Sequence, residues 1–317
     1  KKMNLVGSRI HNTIFVYSPP KTGSTSIVTS IRIFASDLYN IIHIHDDEML
    51  YNLTGIGGTT VNELITYTAH VLHHRVFVID VYRLPVERKM SAFFEQIHFH
   101  FPGNPSPSIE QLTHRFNLVY PHIGMGDWYL ERFPVSKPHV FNHRYGYLAN
   151  NFHNVRYLKL RLSDSATKWE PILRHELGIE DLKIVPDYRG EEKINGTAEL
   201  YKKFKSKYRL PSNFLSAIIN SKTLRYFLTD EERSKYIERW DERSMFKQFT
   251  PLTADQYVRY LDVMPTIQLS PPIIQHEHYR DDGCLCHICK NKRILVKQKI
   301  LDGKMLTNDD IILHSKK

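Results

Sequence analysis

Residues 20–26 read PKTGSTS and gather the groups that hold a phosphate. Lys21 brings a cation, Gly23 lets the backbone approach a ligand closely, and Thr22, Ser24, Thr25 and Ser26 add hydroxyl donors. Phosphates are held by converging backbone N–H groups, a positive charge and the N-terminus of a helix. The nucleotide-kinase pattern G-x-x-x-x-G-K-[ST] sets lysine after its last glycine. Here lysine precedes the glycine, which disfavours an ATPase of that type. A second anion-binding pair follows in YRLPVERKMS, where Arg83 can grip a phosphate with two prongs and Ser91 stands on the next helix. Candidate proton acceptors are His43 and His45 in IIHIHDDE, His70 in YTAHVLHH, Glu48 and Glu63. Cys284, Cys286 and Cys289, in GCLCHICK, are either ligands of a structural zinc ion, with His276 or His278 as the fourth, or thiols in a turn-rich tail.

These residues need strands and helices in a particular order to meet. NTIFVYS, ended by Pro19 and Pro20, reads as a buried strand, and Ile27, Ile31 and Phe34 predict a helix from about Ser24 or Thr25. NIIHIHD is a second strand. RVFVIDVY is the strongest one, and it feeds a helix whose first turn suits Pro85. VRYLKLRLSD is a further strand, followed by a helix that Gly178 stops. FPGNPSP, residues 101–107, reads as a loop able to act as a lid. Beyond Lys193 the pattern turns helical. Strands alternating with helices predict an α/β fold with a central, mainly parallel sheet covered on both faces and a helical C-terminal half. Residues 1–265 are expected to form this domain, and 266–317 an appendage carrying the cysteine cluster.

PKTGSTS after a strand resembles the 5′-phosphosulfate loop of sulfotransferases that use 3′-phosphoadenosine 5′-phosphosulfate (PAPS), and the Arg83/Ser91 pair resembles their second signature. The resemblance in organisation runs over residues 12–240 and implies a P-loop-NTPase-like three-layer fold. It implies that Lys21, Thr22, Gly23, Ser24, Thr25 and Ser26 hold the 5′ end of the donor, that Arg83 and Ser91 hold its 3′-phosphate, and that Arg88 gives support. Lys21 would be the catalytic cation at the leaving oxygen. YTAHVLHH is similar to the His-Gly-His-Val stretch of uronyl 2-O-sulfotransferases, which implies His70 as catalytic base, although Thr68 replaces the first histidine. His43, His45, Glu48 and Glu63 remain its rivals. The Gly- and Trp-rich loop found late in cytosolic members is absent.

With 317 residues and a formal charge of +9, the chain can bury a sizeable core and favours anionic partners. The resemblance implies as substrate a hydroxyl acceptor, a glycan that can itself be polyanionic as the positive charge favours, and no nucleic-acid partner is expected. Two other classes stand beside this reading: a nucleotide-dependent kinase-like phosphotransferase and a basic, zinc-bearing nucleic-acid-binding module. No apolar run reaches the ~20 residues that span a bilayer. Three clustered cysteines make a poor disulfide framework, which points to a cytoplasmic location, or to the Golgi lumen if an N-terminal anchor preceded this chain.

Overall fold

The computed structural model describes residues 12–55, 57–102, 104, 106–185, 197–263, 287–307 and 310. β1 (Asn12–Tyr17) leads into α1 (Ser24–Ala35) and β2 (Asn40–Ile44), and α2 (Asp47–Thr54) and α3 (Val61–His70) precede β3 (Arg75–Tyr82). Helices α4 (Pro85–Glu95), α5 (Ile97–His100), α6 (Ile109–Val119) and α7 (Trp128–Glu131) separate β3 from the hairpin of β4 (Tyr147–Phe152) and β5 (Val155–Arg161). After α8 (Trp169–Leu177) the described chain is mostly helical, with α9 (Thr197–Lys207), α10 (Ser212–Ile219), α11 (Lys222–Phe227), α12 (Asp230–Asp241), α13 (Ala254–Val263) and α14 (His287–Leu301).

The main sheet has five strands in the order β2-β1-β3-β5-β4. β1 runs parallel to both β2 and β3, β3 runs parallel to β5, and only β4 is antiparallel, on the edge. Ile14, Phe15, Val16 and Tyr17 are at most 1% exposed, so β1 is covered on both faces, as its unbroken apolar run requires. One face packs Ile14, Val16, Phe77, Ile79, Leu158 and Leu160 under α1 and α8. The other packs Phe15, Tyr17, Val78 and Tyr157 under α3 and the aromatic segment that includes Trp128 and Phe133. Each buried Val, Leu, Ile or Phe side chain contributes about 1.5–3 kcal/mol by leaving water. A third cluster joins α4 and α6 to helices of the C-terminal half through Phe93, Phe116, Phe204 and Tyr208.

Two features differ from the sequence expectation. β4 carries the polar stretch Asn150-Asn151, which hid it, and it pairs only with β5. The C-terminal helix is less of an appendage than expected: α14 packs against α1, and Val296 is 1% exposed within the core beside the sheet. Among the described residues, no helix is long and apolar enough to cross a membrane.

Candidate functional site

In this sheet the chain leaves β1 toward β2 on one side, and β3 lies on the other, so the order reverses at β1. Open α/β sheets bind ligands at the carboxyl ends of the strands beside such a reversal. The PKTGSTS loop emerges there, at the end of β1, and Arg83 follows the end of the neighbouring β3. The loop is built tightly. Ser18 Oγ accepts the Val81 N–H at 3.1 Å and lies 2.8 Å from Thr22 Oγ1, and Thr22 donates to the Pro19 carbonyl at 2.9 Å. Lys21 takes a left-handed φ of 67°, a conformation that costs a non-glycine residue about 1–2 kcal/mol. Gly23, at φ 92°, caps α1 without any side-chain acceptor, so the first turn of α1 presents its N–H groups to the loop's concavity. A Cβ on Gly23 would stand 2.7 Å from Leu162 Cδ1 and 3.2 Å from Trp169 Cη2, so any larger residue must displace the Leu162 side chain and press on Trp169.

Three arginine and lysine side chains fix or line this loop. Arg83 Nη1 donates to the Lys21 carbonyl at 2.8 Å, and no carboxylate among the described residues pairs with its guanidinium. Arg88, 6% exposed, donates through Nε to Pro20 O at 3.3 Å and through its two terminal nitrogens to the Gly126 and Met125 carbonyls. Burial lowers the Arg88 pKa to about 10, which leaves it charged. Lys21 Nζ pairs with Glu95 Oε2 at 2.8 Å. Arg88, Ser91 and Glu95 recur at helical spacing on α4, and since the outer two touch the loop, half-buried Ser91 lies on the same face. The structure thus brings together Lys21, Thr22, Gly23, Ser24 and Arg83, with Thr25 and Ser26 half-buried on the first turn of α1 and Ser91 on the face of α4 that carries Arg88 and Glu95. The hydroxyls of Thr22 and Ser24 face inward, to Pro19 O and to His43.

The histidines separate cleanly. His43 and His45 flank the end of β2 beside the loop, their rings edge to face at 4.7 Å. His43 Nε2 lies 3.0 Å from Ser24 Oγ, and burial lowers its pKa to about 3. His45 Nδ1 lies 2.7 Å from the Ser18 carbonyl oxygen. A carbonyl only accepts, so Nδ1 carries the proton and Nε2 of the neutral ring keeps its lone pair. Burial lowers the His45 pKa, and the charges of Lys21 and Arg88 push the same way. The Trp128 indole N–H holds the His45 carbonyl at 2.6 Å, and the Arg132 guanidinium lies 3.7 Å over the Trp128 ring.

His70, the base implied by resemblance, is not at this site. It ends α3 just before β3 and stacks edge-on against His153 at 5.2 Å, at the amino end of the sheet. β3 has eight residues, which at ~3.3 Å per residue sets its two ends about 23 Å apart. The reason is directional: a residue preceding a parallel strand falls at the edge opposite the loop. Glu63 is held by Thr60 in a capping box, whose hydrogen bonds lower its pKa, and Glu48 is exposed in the first turn of α2.

Beneath the loop lies a charged network that motif reading does not reveal. Lys159, fully buried on β5, donates to Asp80 Oδ2 at 2.8 Å and Asp127 Oδ2 at 2.6 Å. Val81 N and Tyr129 N also donate to Asp80, at 2.6 and 2.9 Å. Burial raises the Asp80 pKa to about 6 against the pull of Lys159. Asp127 and Gly126 are adjacent, so Lys159 and Arg88 hold one segment from two sides. The sequence signal was present: Asp80 stands between Ile79 and Val81, and Lys159 between Leu158 and Leu160, inside strands, and buried charges need partners. Of the cysteine cluster, Cys284 and Cys286 lie outside the described residues, as do His276 and His278, while Cys289 is buried on α14. Among the described residues, no group of three His, Cys, Asp or Glu side chains is placed to hold a metal.

No protein-family model, curated protein or solved structure matches the chain.

Proposed function

We propose that this protein is a sulfotransferase of P-loop-NTPase-like three-layer fold, which passes the sulfuryl group of PAPS to a carbohydrate hydroxyl. The observation that carries this reading is the 2.8 Å hydrogen bond from Arg83 to the Lys21 carbonyl. It holds the loop at residues 20–26 and Arg83, separated by a whole βαβ passage, against each other at adjacent strand ends, which supports reading them as two halves of one anion site.

The residues fit such a donor. The first-turn N–H groups of α1 and the Lys21 ammonium suit a 5′-phosphosulfate. Arg83 has prongs to spare after its bond to Lys21, and with Ser91 it suits a 3′-phosphate. When bound, the donor supplies the sulfuryl group, whose bond to the 5′-phosphate breaks as a bond to the acceptor oxygen forms. Lys21 then stabilises the charge that grows on the leaving phosphate oxygen. His45 replaces His70 as the base of this reading. Its Nε2 takes the acceptor's hydroxyl proton, and its Nδ1–H stays on Ser18 O, so the tautomer is fixed by the same loop that holds the donor. Arg88 positions the loop. The net charge of +9 favours an acceptor that is itself anionic, such as a uronate-bearing or sulfated glycan.

A thermal-shift comparison of 3′-phosphoadenosine 5′-phosphate, ATP and an oligonucleotide tests the reading. The sulfotransferase assignment predicts that the 3′,5′-bisphosphate raises the melting temperature most. Preferential stabilisation by ATP would turn the assignment toward a phosphotransferase, and by the oligonucleotide toward a nucleic-acid-binding module.

A further inference from the structure

Glu95 is a carboxylate inside a site otherwise designed for anions. It is the last residue of α4, where the free carbonyls put partial negative charge, so its position works against the helix. Its partner Lys21 sits in a left-handed backbone conformation that lysine disfavours. Two local costs therefore meet in one ion pair at 2.8 Å, with the Lys21 side chain 16% and the Glu95 side chain 35% exposed. A surface ion pair of this exposure contributes too little to stability to explain both. Departures from local preference that converge on one contact mark a functional device.

We propose that Glu95 is a resident counter-ion for Lys21, a positioning residue that holds the ammonium over the loop and yields it to an incoming phosphate. Rigid α4 carries the carboxylate on the same face as Arg88, which anchors Pro20, so the lysine is held in place before any ligand arrives. An anion then competes with Glu95 for the Lys21 charge, and the device sets affinity: it weakens binding of the released bisphosphate and keeps the lysine oriented for the next donor. This inference rests on the donor-binding reading above.

Calorimetric titration of the full chain with 3′-phosphoadenosine 5′-phosphate, and separately with inorganic pyrophosphate, tests it. Glu95→Gln removes the competing charge and is expected to bind both ligands roughly three- to tenfold tighter, the scale of a part-exposed charge pair. Glu95→Asp, too short to reach Lys21, is expected to show the same gain, which separates the effect from a folding defect. In a Lys21→Ala background, Glu95→Gln is expected to leave affinity within about twofold, because the competition needs the lysine. Unchanged or weaker binding by Glu95→Gln would overturn the proposal, as would an equal gain with Lys21 absent, which would indicate plain repulsion. A kcat loss of about a hundredfold or more in Glu95→Gln, with unchanged affinity, would also overturn it and make Glu95 a base. Binding of pyrophosphate without binding of the bisphosphate would refute the donor reading alone, and the pyrophosphate titrations would still decide the role of Glu95.

Discussion

Replacing His45 by asparagine separates the two jobs assigned to its ring. The asparagine amide nitrogen stands as many bonds from Cα as Nδ1 does, so it can still donate to the Ser18 carbonyl, now bonded at 2.7 Å. What disappears is Nε2, the proposed proton acceptor. General-base catalysis accounts for about 10²–10⁴ in rate, which at 1.36 kcal/mol per tenfold is about 2.7–5.4 kcal/mol of barrier. His45→Asn is therefore expected to lower kcat by that factor while donor affinity stays within about threefold, since no phosphate contact is assigned to the ring. Burial, helped by Lys21 and Arg88, lowers the His45 pKa from 6.5, so the wild-type ring is neutral at pH 7. The acid limb of the wild-type rate profile should accordingly inflect below pH 6.5 and be missing from the variant. Transfer of labelled sulfate to a glycan acceptor between about pH 5 and 9 measures both. A variant within about threefold of wild-type kcat, or one that keeps the acid limb, would refute the assignment.

Three further outcomes follow from the geometry. Lys21→Ala should cut turnover by about 10²–10³, as loss of a donor to a developing oxyanion does, and turnover near the wild-type value would remove its catalytic role. Gly23→Ala should destabilise the fold by about 2–3 kcal/mol, because it meets both a left-handed backbone and a crowded site; an unchanged urea midpoint would contradict the packing of Gly23 on Leu162. Lys159→Met leaves Asp80 and Asp127 without their cation and should cost about 3–5 kcal/mol. Because the Asp80 pKa is raised to about 6 from 3.8, its protonated form favours the native state at low pH, and that contribution fades as pH rises through about 6. Lys159 holds this pKa down against burial, so Lys159→Met raises it further and loses more stability as pH rises; the deficit should be larger at about pH 8 than at about pH 5, and equal deficits in urea unfolding would contradict a buried, charged pair.

How much of this was legible in the sequence depends on whether the information is local. The alternation of apolar strand runs with helices, and the loop at residues 20–26, are readable from neighbouring residues alone, and the parallel sheet follows from them. The meeting of Lys21 with Arg83 needs only that β1 and β3 be adjacent and parallel, so two strand-end motifs imply it. The choice between His45 and His70 is a question of which end of a strand a residue occupies. His45 follows β2 and His70 precedes β3, and the carboxyl-end rule for ligands would have separated them. Glu95 gave no such signal, because an exposed-looking glutamate at a helix end acquires meaning only once α4 is seen to face the loop. The cysteine spacing, likewise, says nothing about where Cys289 ends up, which is in the packing of α14.

The central claim is that two anion cradles, one at the end of β1 and one at the end of β3, hold opposite ends of one ligand. Calorimetry of 3′-phosphoadenosine 5′-phosphate against adenosine 5′-phosphate, in wild type and Arg83→Ala, tests this most directly. The account predicts that the 3′-phosphate tightens wild-type binding by roughly thirtyfold or more, the scale of a lost charge partner of 2 kcal/mol upward, and that Arg83→Ala abolishes most of that gain. Equal affinities for the two nucleotides in the wild type, or a gain that survives without Arg83, would contradict it.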